Sequence, residues 1–135
     1  MSVSIRQKVK ACFTLDKAPN PQVNVRRNGQ VILEAHQALT FMQRLRGLHA
    51  LPLLQGRQAL LIRPCSSVHT FGLHYPIDVV YLDRDGVVLK ALALEPRRGS
   101  VCHGAHTVVE MAQGRIQGLS LKTGQKLSMD GEPAT

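Results

Sequence analysis

A chain of 135 residues and 14.8 kDa has room for one domain, and its 44% apolar content excludes global disorder. No apolar run approaches the roughly 18 residues that a membrane span needs. The formal charge of +8 invites a nucleic-acid reading. Against it, the basic residues are scattered, and Phe13, Phe41, Phe71, Tyr75 and Tyr81 are the entire supply of aromatic rings for base stacking.

Residues 1–20 read as a flexible basic arm, with a turn at Ala18-Pro19-Asn20-Pro21 where it meets a single domain at 21–130, and 131–135 as a tail. Lys8, Lys10 and Lys17 interrupt every stretch that could serve as the apolar core of a signal peptide. Cys12, Cys65 and Cys102 are an odd number for a disulfide framework. A cytoplasmic protein with reduced thiols is the expectation.

Val23 and Val25 alternate with polar neighbours over Gln22–Arg27, as in a half-buried strand. Asn28-Gly29 is a strong hairpin signal, and Val31–Ala35 returns antiparallel. Thr40–His49 reads as a helix, with Thr40 and Gln43 as a capping box and Phe41, Leu45 and Leu48 on one face. Gln58–Arg63 is a buried strand stopped by Pro64. Ile77–Leu82 and Val87–Leu94 flank the turn Asp83-Arg84-Asp85-Gly86 as a second hairpin. Thr107–Ala112 and Lys126–Met129 complete the strands, with a helical turn within Gly114–Leu121. The expected class is α+β: a β-rich compact domain, a curved sheet or small barrel of short strands, with one main helix and one short helical turn.

Certain segments, in order, resemble the family DUF192. They are Gln43-Arg44-Leu45-Arg46-Gly47-Leu48, Pro64-Cys65-Ser66-Ser67-Val68-His69-Thr70-Phe71-Gly72, Tyr75-Pro76-Ile77-Asp78-Val79-Val80-Tyr81-Leu82-Asp83 and Gly104-Ala105-His106-Thr107-Val108-Val109-Glu110. The likeness runs over about Val31–Met129. It implies a compact, strand-rich α+β domain of unestablished activity. Similar sequences sometimes stand beside pilus and secretion operons, which implies an accessory role with a protein partner.

Three chemistries are open to the polar residues. Asp78, early in an apolar strand, and Glu110, between Val109 and Met111, are costly to bury without partners. Either they tie elements together, or Arg46, His69, Thr70 and Asp78, joined by His106 and Glu110, line a pocket for a small polar ligand. The second possibility is zinc on Cys65, His69, Cys102 and His106, since a soft metal takes four nitrogen or sulfur ligands. Here the first pair must turn, because residues four apart in a strand lie about 13 Å apart. The third is a thiol nucleophile, Cys65 or Cys102, with His69 or His106 as base and Asp78 or Glu110 orienting it. A non-catalytic binding or accessory domain without a cofactor is the leading expectation. A Cys/His metal or hydrolytic enzyme is the alternative, and nucleic-acid binding by a basic surface comes third.

Overall fold

The computed structural model describes residues 22–38 and 56–130. The expected helix Thr40–His49, Arg46 and the segments 1–20 and 131–135 lie outside these residues.

Strands β1 (Gln22–Arg27) and β2 (Gln30–Ala38) form the first hairpin. Asn28 and Gly29 both have positive φ, 54° and 81°, as a two-residue turn matched to strand twist requires. β3 (Gln58–Ile62) pairs parallel with β2. A parallel neighbour needs a crossover of a dozen or more residues, and the chain between Ala38 and Gln58 provides that length. β5 (Ile77–Leu82) and β6 (Val88–Leu94) make the second hairpin, and β8 (Thr107–Ala112) inserts antiparallel between β5 and β3. A four-residue helix, α1 (Arg115–Gly118), follows β8, and β9 (Ser128–Asp130) pairs with β1. The sheet order is β6-β5-β8-β3-β2-β1-β9. Two strands absent from the sequence-based reading, β4 (Ser67–His69) and β7 (Gly99–Val101), form a separate antiparallel pair.

The seven-stranded sheet curls into a half-barrel whose edges are laced together. Val87 bridges Lys126, the Leu127 amide donates to Gly86 O at 2.9 Å, and the Val88 amide donates to Gln125 O at 2.8 Å. Gly86 is required at this seam. Its φ is +88°, and a Cβ there would collide with the Leu127 carbonyl oxygen.

Strand alternation sorts the core into two faces. Leu33, Ala35, Ala59, Leu61, Val80, Leu82, Val109 and Met111 fill the concave side together with Val25, Val88 and Leu127 from the two edges. Leu60, Ile62, Ile77, Val79, Tyr81 and Val108 face the other way, beneath the β4–β7 pair and its loops. The described fold is thus β-rich and curled, as expected, with α1 as the only helix among the described residues. That helix falls within the helical turn expected at Gly114–Leu121. No described helix is long and apolar enough to cross a membrane.

Candidate functional site

Asp78 is the second residue of β5 and is 3% exposed. Its Oδ2 accepts hydrogen bonds from the Gly114 and Ile116 amides at 3.0 and 2.9 Å. Those are the free donors at the start of α1, so this carboxylate fastens the helix across one end of the half-barrel. Ile116 and Leu119 then pack on the concave core, and Arg27 donates to Leu119 O at 2.6 Å from the far side.

Glu110 lies on the opposite face. The β5–β8 register pairs Val79 with Glu110 and Asp78 with Met111. Directly opposed residues share a face and neighbours along a strand do not. Asp78 therefore looks to the concave side and Glu110 to the convex side, among Leu60, Val79 and the tyrosines. Burial pushes the Tyr75 phenol above its ordinary value of 10.0, and the Glu110 charge adds to the rise. Burial likewise raises Tyr81. The Ser100 hydroxyl beside it opposes that rise, and the nearby Cys65, Cys102 and Glu110 charges reinforce it.

Thr70, fully buried, anchors the β4–β7 pair. Its hydroxyl donates to Glu95 O at 2.5 Å and accepts from the Arg98 amide at 2.9 Å. His69 is exposed on the outer side of β4, with its ring 5.4 Å from that of Phe71. Cys65 and Cys102 pack inward against the convex-face core. Cys65 and His69 thus point in opposite directions. Among the described residues, no three His, Cys, Asp or Glu side chains are arranged to hold a metal ion.

The residues singled out in the sequence are therefore dispersed. Asp78 sits at the α1 end, Glu110 on the convex face, and His69 and Thr70 in the outer pair. Of these residues, among those described, only His106 reaches the concavity at the other end of the half-barrel. Its backbone is fixed by donation to Leu82 O at 2.8 Å and acceptance from the Cys65 amide at 2.9 Å.

His106 there lines a cleft of about 540 Å³. This is within the range of small-molecule sites, roughly 300–1,000 Å³. The end of β2 contributes Gln37, the residues after β3 contribute Arg63 and Pro64, and the start of β8 contributes Thr107. The β5–β6 turn and the segment entering β9 complete the rim with Asp83, Arg84, Asp85 and Lys126. Three cations thus face two carboxylates. One of these, Asp83, already accepts the Asp85 and Val87 amides at 2.8 and 2.9 Å.

Two lining residues are buried polar side chains, Gln37 at 6% exposure and Thr107 at 2%. The Gln37 side-chain oxygen Oε1 has no hydrogen-bond partner among the described residues. Sequence reasoning passed over Gln37, but a signal was present. Leu33, Ala35 and Gln37 recur at period two, which sets a polar residue on the inward-facing side of β2.

Comparison with known proteins places this geometry in context. The model of the family DUF192, described as "Uncharacterized ACR", matches residues 23–129. No curated protein matches. A protein of unknown function from Novosphingobium aromaticivorans superposes with a TM-score of 0.66 at 17% identity, over 79% of this chain and 83% of that one. A proposed transcription regulator from Sinorhizobium meliloti gives a TM-score of 0.70 at 17% identity, over 83% and 95%. At that identity the likeness is one of fold.

Proposed function

The chain belongs to the DUF192 family, and from its geometry we propose a non-catalytic binding or accessory domain whose small polar ligand sits in the cleft at the mouth of the half-barrel. The observation that supports this reading most strongly is Gln37. A buried amide oxygen without a partner costs about 1–3 kcal/mol, and such a group is a natural acceptor for a ligand N–H or O–H. Around it, Arg63, Arg84 and Lys126 outnumber Asp83 and Asp85 and favour an anionic group on the ligand. The ligand class is therefore a small molecule with at least one N–H or O–H donor and a carboxylate or phosphate.

The test is an amide-resolved NMR titration with small hydroxy acids, amino acids and phosphate esters. A binder is expected to move the resonances of Gln37, Arg63, His106, Thr107 and Lys126 together. Shifts confined to the β4–β7 pair, or none across the panel at millimolar concentration, would refute the assignment.

A further inference from the structure

We propose that Cys65 and Cys102 form a reversible intramolecular disulfide, making this corner of the domain a thiol-oxidation site. Neither cysteine is in a disulfide and both are half-buried; the Cys65 thiol donates to Ser67 O at 3.1 Å and the Cys102 thiol to His103 O at 3.8 Å. The β4–β7 ladder extends one step beyond its strands, where the Cys102 amide donates to Ser66 O at 2.9 Å. Cys65 is the next residue, and its own amide donates to His106 O at 2.9 Å. The turn from Cys102 to His106 therefore clasps Cys65 and Ser66 at both ends.

Continued at regular ladder spacing, Cys65 and Cys102 would have Cα atoms about 6.5 Å apart, within the span that a disulfide bridges. A regular ladder would turn the two side chains to opposite sides. Here the ladder ends at Ser66, and both side chains pack against the same apolar cluster over Tyr81. Closing the bridge requires each thiol to leave the carbonyl it now donates to, Ser67 O for Cys65 and His103 O for Cys102, and to turn toward the other.

The oxidant is a small-molecule disulfide such as oxidised glutathione. One cysteine thiolate attacks it, forming a mixed disulfide and releasing one glutathione thiolate. The second cysteine thiolate then attacks the protein-bound sulfur, closing the Cys65–Cys102 bond and releasing the second glutathione. Two electrons pass to the oxidant, and the two thiol protons end on the released glutathiones.

The experiment treats the Cys12→Ser protein with oxidised glutathione, alkylates it under denaturing conditions and weighs it intact. The expected product has lost two hydrogens, carries neither glutathione nor alkyl group, melts at a higher temperature and reverts with dithiothreitol. Cys65→Ser and Cys102→Ser in the same background should each stop at a single mixed disulfide. Peptide mapping of the oxidised natural sequence locates the bridge independently of the Cys12 substitution. Two persistent glutathione adducts, two thiols that remain open to alkylation, or a bridge that uses Cys12 instead would overturn the proposal.

Discussion

Replacing Gln37 with leucine separates a residue kept for binding from one kept for stability. Gln37 is 6% exposed, its Oε1 has no partner among the described residues, and Leu61 stands beside it in the β2–β3 register. Leucine has nearly the same volume and needs no hydrogen bond. Gln37→Leu removes an unsatisfied acceptor worth about 1–3 kcal/mol and adds apolar contact with the concave core. Allowing for imperfect packing, the gain is about 1 kcal/mol. In a domain of this size that raises the melting temperature by about 4 °C. The assay is differential scanning calorimetry on protein purified under denaturing conditions and refolded, so that any carried ligand is gone. A fall of about 4 °C or more would show that the amide is already satisfied, and the argument from Gln37 would fail.

Other substitutions test the frame around the cleft. Gly86→Ala forces a side chain into positive φ and against the Leu127 carbonyl, and should cost at least about 2 kcal/mol in urea unfolding; a neutral result would mean the seam is not closed as described. Asp78→Ala strands two amides at the start of α1 and should cost about 3 kcal/mol, whereas Asp78→Asn, whose single oxygen can accept both but carries no charge, should cost about half that; equal losses would show that the carboxylate acts otherwise. The tyrosines make stability fall with alkali. Because Tyr75 and Tyr81 are raised above 10.0 in the folded state, the native protein holds protons that the unfolded chain releases, so their contribution is full below pH 10 and declines above it. Phenolate absorbance of the folded protein should rise at higher pH than in denaturant, and coincident curves would contradict this.

The strand pattern was legible because alternation and turn residues are local signals. The Asn28-Gly29 hairpin and the strands Gln22–Arg27, Ile77–Leu82 and Thr107–Ala112 appear where the residues indicate. β4 and β7 were missed because each has three residues and pairs across thirty or more positions, so neither has a local period to read. In the pocket expected around Arg46, His69, Thr70 and Asp78, joined by His106 and Glu110, the placing of Asp78 beside Glu110 depended on which faces β5 and β8 present to each other. That parity is set by long-range register, and it puts the two carboxylates on opposite sides of the sheet. His106 reached the cleft because the turn before β8 is held to Leu82 and Cys65 by backbone hydrogen bonds, contacts with no signature in composition or spacing.

The cleft as a ligand site is tested most directly by native mass spectrometry of freshly purified wild-type protein beside Gln37→Leu and Lys126→Ala. The account predicts a small anionic adduct on the wild type, reduced or absent in both variants, whose mass identifies the ligand. An adduct kept undiminished by both variants, or a wild type that neither carries an adduct nor takes one up from a cell extract, would contradict it.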